Sequence, residues 1–267
     1  MRAFLKRWGP AVPADAGEYS RPDFATQCET LLEVGPAAVS SIMGLYPAAF
    51  VRKMKAQGIR WIATATTVTE ARLAVAAGAD AVVAQGMEAG GHRGAFDSSR
   101  AERELIGLSA LLPGIVDAVD VPVIAAGGIA DPRAVAAALI LGASAVQVGT
   151  GFLRCPEARL PSAWADAIGK SLPEDTLITR AFSGRPGRSI ATAYARAAAA
   201  PDAPPPAPYP VQSGLTQSMR SHALEANSLD GLSAWAGQSA ARAQARPATE
   251  VALELWNGAR ALLEPAS

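Results

Sequence analysis

The chain has 267 residues, half of them apolar and 18% charged. That length and composition can bury a full core and exclude a disordered polymer. Its 24 Lys and Arg balance 24 Asp and Glu without a basic stripe, which excludes recognition of nucleic acid by clustered positive charge. Cys28 and Cys155 stand far apart without a CxxC pair, so neither a disulfide framework nor a metal site is expected.

The opening residues Met1 to Trp8 are basic but run into Pro10 and Pro13 instead of an apolar stretch, so no signal peptide or membrane span is expected. Cytoplasmic location and the absence of a membrane partner are the corresponding expectations. Residues 1 to 20 offer no strand, and Arg21 to Glu33 reads as a helix. Short apolar runs then alternate with helical patterns, the signature of repeated βα units. Strands are predicted at Ala38 to Gly44, Ile59 to Ala65, Ala81 to Gly86, Val121 to Gly128 and Ala145 to Thr150. Helices are predicted at Pro47 to Gln57, Thr69 to Ala77, Leu105 to Val119 and Pro132 to Leu141, with Asp131 placed to cap the last. The strands are continuously apolar, as expected when both faces are covered. The stretch 191–210 is rich in Ala and Pro and reads as a mobile connector unable to build a core. Helical patterns return at Leu215 to Ala226, Leu232 to Gln244 and Thr249 to Leu263. The expected organisation is a βα portion over 1–190, a connector over 191–210, and a helical segment over 211–267 that packs back on the first.

Polar and glycine residues gather where these strands end: Gln85-Gly86, Gly127-Gly128 and Gly149-Thr150. In a parallel α/β sheet, open or closed, that end is where ligands bind. The run Gln85-Gly86-Met87-Glu88-Ala89-Gly90-Gly91-His92 lets the backbone approach a flat or charged ligand and holds His92 at a strand's carboxyl end. A histidine there can move protons near neutral pH, so His92 is the candidate catalytic residue. The turns at Gly127-Gly128 and at Gln147-Val148-Gly149-Thr150 offer backbone donors to a phosphate, although a tight βα turn also selects glycine. Arg93 and Arg154 are candidates for attracting an anion, against the plainer reading of each as a solvated surface arginine. The GxGxxG spacing of a dinucleotide site is absent.

Three segments together resemble the nitronate monooxygenase family, formerly called 2-nitropropane dioxygenases. They are AQGMEAGGHRG, PVIAAGGIADPRAVAAALILGASAVQVGT and AFSGRPGR (Ala181 to Arg188). The resemblance runs from about residue 21 to 190 and, more loosely, through Trp235 to Gln238. It implies an α/β fold of the TIM (β/α)₈-barrel type that binds FMN, with a C-terminal helical region. By similarity, Gln85, Gly90, Gly91 and Gln238 lie against the flavin, while Gly127, Gly128, Gln147, Val148, Gly149 and Thr150 hold its phosphate. His92 matches the active-site histidine. The implied reaction oxidises an alkyl nitronate with O2 to a carbonyl compound and nitrite, and self-association is compatible with it. Members usually carry three further βα units ahead of the segment matching Ala38 to Gly44, so about five strands and an incomplete barrel are expected here. An internal start, a fragment or a degenerate copy would each account for that count. Competing readings are an FMN-dependent enoyl-acyl-carrier-protein reductase, an NAD(P)H:quinone reductase, and a non-catalytic remnant or partner subunit.

Overall fold

The computed structural model describes residues 1–18 and 23–264. In chain order, α1 (Arg2–Leu5) and α2 (Phe24–Val34) precede β1 (Ala38–Ser41). There follow α3 (Ala48–Ala56), β2 (Arg60–Ala65), α4 (Val68–Ala76), β3 (Ala81–Gln85) and the two-residue β4 (Gly91–His92). Next come α5 (Leu108–Val116), β5 (Val123–Ala126), α6 (Pro132–Ile140), β6 (Ala145–Gln147), α7 (Ser162–Lys170), β7 (Thr176–Thr179) and β8 (Gly187–Ile190). The chain continues through α8 (Ala193–Ala198), α9 (Val211–Leu215), α10 (Gln217–Glu225) and α11 (Ala248–Leu263).

β1, β2, β3, β5 and β6 form one sheet in that order, all parallel and joined by helical crossovers. The architecture is an incomplete α/β barrel, and all five predicted strands are in it. Four of them end earlier than predicted, whereas β2 ends at Ala65 as predicted. Met43 and Gly44 take φ of 69° and 139°, and Gly127 and Gly128 take 113° and 71°, conformations that leave the strand region. Asp131 caps α6 as expected, accepting from the Ala134 N–H at 3.0 Å, with Pro132 in the first turn. Of the helix predicted over 21–33, Arg21 and Pro22 lie outside the described residues; Asp23 is the N-cap of α2, which holds the rest.

One core joins Val82 and Ala84 of β3, Val123 and Ala125 of β5, Leu111, Leu112 and Ile115 of α5, and Val251, Leu255 and Ala259 of α11. The last helix therefore folds back on the parallel layer, crossing α6 where a Cβ on Gly258 would sit 2.7 Å from Pro132. A second core sets Trp61 of β2 against Phe50 and Met54 of α3 and Cys28 of α2.

A second, antiparallel sheet of order β4-β8-β7 stands beside the first and is absent from the sequence reading. Behind it, Phe4, Leu5, Phe182, Tyr194, Leu215 and Met219 form a further core. The stretch 191–210 is thus not the coreless connector its composition suggests, because α8 buries Tyr194 completely. The helix predicted over 232–244 does not form either. Trp235 pairs in extended conformation with Ser189, and only Ala240–Arg242 makes a short 3₁₀ turn. Gly237 passes so close to Glu88 that a Cβ would meet its carbonyl oxygen at 2.7 Å, an approach a helix would not allow. The helix predicted over 215–226 divides at Thr216, whose hydroxyl donates to the Phe182 carbonyl at 2.6 Å.

Candidate functional site

The carboxyl ends of β3, β5 and β6 open into one cleft, bordered by Gln85, Glu88, Ala89, Gly90, Gly127, Gly128, Gln147, Gly149 and Thr150. It continues to Gly237 and Ser239 of the tail. Its cavity volume is about 140 Å³, below the ~300 Å³ at which sites for whole drug-sized ligands begin. The cleft thus has room for a head group only, and Gln147 and Gly149 at its β6 side are exposed.

The glycines are there for close approach. A Cβ on Gly90 would lie 2.5 Å from the Gly237 nitrogen, and one on Gly127 would lie 3.0 Å from the Ala89 nitrogen. Two hydroxyls tie the tail over these turns. Thr150 Oγ1 accepts from the Gly237 N–H at 2.9 Å, and Ser239 Oγ donates to the Gly128 carbonyl at 2.6 Å. The cap on α6 makes the Asp131 carboxylate the partner of that helix N-terminus. An anion in the cleft would therefore face the turns before the helix. Among the described residues, the amides of Gly127, Gly128, Gly149 and Thr150 donate to no backbone acceptor.

Gln85 lines the cleft, yet its amide also holds the next loop: Nε2 donates to the His92 carbonyl at 3.1 Å and Oε1 accepts from the Gly94 N–H at 2.7 Å. An amide has a second N–H and a second lone pair left for a ligand. Glu88 accepts from the Leu108 N–H at 2.9 Å and so binds the start of α5 to the glycine run. Buried Glu70 accepts from the N–H groups of Thr66 and Phe96, both at 2.7 Å, fixing the loop beyond His92 against the end of β2.

Gly91, Val148, Gln238 and His92 do not border the cleft. Val148 packs on the core of the parallel sheet. The Gln238 backbone N–H donates to the Glu88 carbonyl at 3.0 Å. Gly91 and His92 form β4, opposite Arg188 and Gly187 of β8. His92 therefore stands on the antiparallel sheet, with Nε2 at 2.7 Å from Ser183 Oγ. Trp235 and Tyr209 flank its ring at centroid distances of 5.0 and 6.3 Å. Gly187 makes room for that indole, since a Cβ there would meet it at 2.8 Å. The sequence reading held Ser183 only as part of a segment that carries the family resemblance and gave Tyr209 no role; a proline-rich stretch carries no local sign of an aromatic wall.

The surface reading of Arg93 and Arg154 does not hold. Arg93 is buried and donates to the Gly86 carbonyl at 2.7 Å; half-buried Arg154 donates to the Ala243 carbonyl at 3.0 Å. Burial, and after it the charge of nearby Arg188, pushes the Arg93 guanidinium below its ordinary value. Arg188 is likewise buried, donating to the Met87 carbonyl and to Thr176 Oγ1, each at 2.9 Å. Both guanidiniums brace the glycine run from beneath. Among the described residues, no helix is long and apolar enough to cross a membrane.

Comparison with known proteins agrees with this arrangement. The family model for nitronate monooxygenase matches residues 11–257. The chain is 46% identical over 221 residues to a nitronate monooxygenase of Pseudomonas aeruginosa, covering 83% of this chain but 63% of that relative. It is 41% identical over 253 residues to a nitronate monooxygenase of Paraburkholderia phytofirmans, covering 94% and 69%. The crystal structure of nitroalkane oxidase from Streptomyces ansochromogenes superposes with a TM-score of 0.84 at 39% identity, over 92% of this chain and 72% of that one. FabK from Thermotoga maritima superposes with a TM-score of 0.74 at 29% identity, over 91% and 74%. The chain spans less than two thirds of the length of the Pseudomonas relative and is shorter than each of these proteins. The chain belongs to the nitronate monooxygenase family.

Proposed function

We propose that the chain is an FMN-dependent oxidoreductase that oxidises alkyl nitronates with O2 to a carbonyl compound and nitrite. The observation that carries this reading is the convergence of three glycine-bearing strand ends on one cleft, with His92 held on the sheet beside it. The cleft fits the phosphate end of FMN. Gly127 and Gly128 stand at positive φ, and amides at both turns lack backbone acceptors among the described residues. Gly127, Gly128, Gln147, Gly149 and Thr150 would hold the phosphate, with Val148 supporting that turn from the core. Gln85, Gly90, Gly91 and Gln238 would set the glycine run and tail against the ring system. Bound FMN supplies the electron transfer, and the chain supplies position and electrostatics. His92 would take a proton from a neutral nitroalkane or orient a nitronate that arrives as the anion.

The test is a visible absorption spectrum of the purified chain after incubation with FMN and removal of the excess. Retained flavin bands and nitrite release from a nitronate are the expected result. His92→Ala is expected to keep the flavin and lower turnover by about 10²–10⁴-fold; equal loss of flavin and turnover would overturn the assignment. Likeness to FabK supports a second reading, reduction of an enoyl thioester on the same fold. NADH consumption driven by such a substrate, with no nitrite from nitronates, would select it. A colourless chain, inactive with both, would select a non-catalytic partner.

A further inference from the structure

We infer that Glu88 is a specificity-determining residue of the cleft: a fixed negative charge beside the phosphate turns that limits how far a phosphorylated ligand is preferred over its unphosphorylated form. The inference rests on the proposed function for naming that ligand a flavin, whereas the charge pattern belongs to the cleft itself.

Among the described residues, those that border the cleft include no Lys, Arg or His, and Glu88 is the one charged side chain. A phosphate monoester carries a charge of about −1.5 to −2 at neutral pH. Sites that hold it by charge set Arg or Lys against it. Here the donors are the turn amides and the Thr150 hydroxyl, which keeps its own proton while accepting from the Gly237 N–H. Helix N-termini, the other common source of positive potential, are already matched by carboxylates. Asp131 accepts from the Ala134 N–H at the start of α6, at 3.0 Å. Glu88 accepts from the Leu108 N–H at the start of α5 through both oxygens, at 2.9 and 3.1 Å, where the cap residue Gly107 brings no side chain. The cleft therefore offers an anion directional donors and, next to them, a like charge.

That charge is held in place. The Glu88 stem lies against the phosphate turn, since a Cβ on Gly128 would come 3.4 Å from Glu88 Cβ and 3.6 Å from Cγ. Its carbonyl accepts from the Gln238 N–H at 3.0 Å, which ties the backbone to the tail. The carboxylate cannot swing into solvent without leaving the first amide of α5 unpaired. Arg93 and Arg188 donate to the Gly86 and Met87 carbonyls and do not border the cleft. They offset part of the carboxylate's field from beneath the glycine run and give the ligand no direct contact. Glu88 is half-buried, so what remains is a like-charge repulsion at a partly wet site, on the order of tenfold in affinity. Riboflavin has the same ring system without the phosphate and escapes it.

The test compares dissociation constants of FMN and riboflavin, read from quenching of flavin fluorescence, in the unaltered chain and in Glu88→Gln. The amide keeps an acceptor oxygen for Leu108 and removes the charge; Glu88→Met, which keeps the stem, takes its place if Glu88→Gln does not fold. The preference for FMN over riboflavin is expected to rise about tenfold in the variant, with riboflavin affinity unchanged. Affinities that move together, as a merely structural role for Glu88 would move them, overturn the inference and leave the proposed function standing. Inorganic phosphate, followed through the amide NMR signals of Gly127, Gly128, Gly149 and Thr150, is the probe that needs no flavin. It should also bind about tenfold more tightly to the variant. That result with no flavin bound by either chain counts against the proposed function and leaves the charge assignment standing. Phosphate binding indifferent to the substitution, weakened by it, or missing at those amides overturns the inference.

Discussion

The parallel sheet and the antiparallel sheet beside it are buried in different ways. In the first, the strand residues withdrawn from water are apolar, Trp61, Val82, Ala84, Val123 and Ala125 among them, apart from Gln85 at the end of β3. In the second, the strands bury Thr176, Thr179, Arg188 and Ser189. An apolar core is stabilised by transfer out of water and tolerates some slack in geometry. A polar interior is worth keeping only when its groups are paired, so each contact constrains its neighbours. The cleft takes its floor from the forgiving layer, and the histidine beside it stands on the exacting one. The seam between them is the tail around Trp235 to Ser239, which meets Glu88, Gly128, Thr150 and Ser189.

The largest effect expected from this contrast is on Trp61. Its ring is fully buried against Phe50 and Met54, and Nε1 donates to Ser41 Oγ at 2.9 Å. Trp61→Ala should cost about 3–5 kcal/mol, measured by urea unfolding followed by circular dichroism. A loss below about 1 kcal/mol would mean that the layer does not rest on apolar burial as described. Next is Gly128→Val, where φ is 71° and a β-branched residue is strained by about 1–3 kcal/mol. The variant should fold, because the turn lies outside the strands, and should lose all retained FMN. A variant that still purifies with flavin would separate the phosphate site from this turn.

The same contrast explains what was legible in the sequence. Apolar runs, four of them reaching a glycine, announce a parallel strand from local residues alone, and each of the five was readable at 38, 59, 81, 121 and 145. The glycine run with His92 was readable for the same reason. Nothing local announces β8, whose Gly187-Arg188-Ser189-Ile190 becomes a buried strand only because β4 and Trp235 pair with it. Nor does proline-rich sequence around Tyr209 suggest a wall for an imidazole 117 positions earlier. Alanine-rich 191–200 reads as filler until Tyr194 is seen to meet Phe4, Trp8 and Phe182. Long-range pairing, not propensity, makes this half of the site.

The smallest effect, and the sharpest on the polar interior, is expected at Tyr194. Its hydroxyl donates to the Ala181 carbonyl at 2.9 Å, and that carbonyl also accepts from Gln212 Nε2 at 2.6 Å. Tyr194→Phe keeps the ring contacts and leaves the carbonyl paired, so the loss near neutral pH should be about 0.5–1.5 kcal/mol. The pH dependence distinguishes the two chains further. Burial pushes the folded Tyr194 hydroxyl well above its ordinary value of 10.0. Below that value the phenol is protonated whether folded or unfolded, and its contribution is complete. Above it the unfolded phenol ionises while the folded one stays protonated. The folded state then binds more protons, and stability falls as pH rises towards the folded value. The slope attributable to this one group is about 1.4 kcal/mol per pH unit, and the phenylalanine variant lacks it. Unfolding curves for the two chains should therefore converge and cross near ~pH 11. Curves that stay separated by a constant amount would mean that Tyr194 is reached by water, and that the core behind the antiparallel sheet is looser than its hydrogen bonds imply.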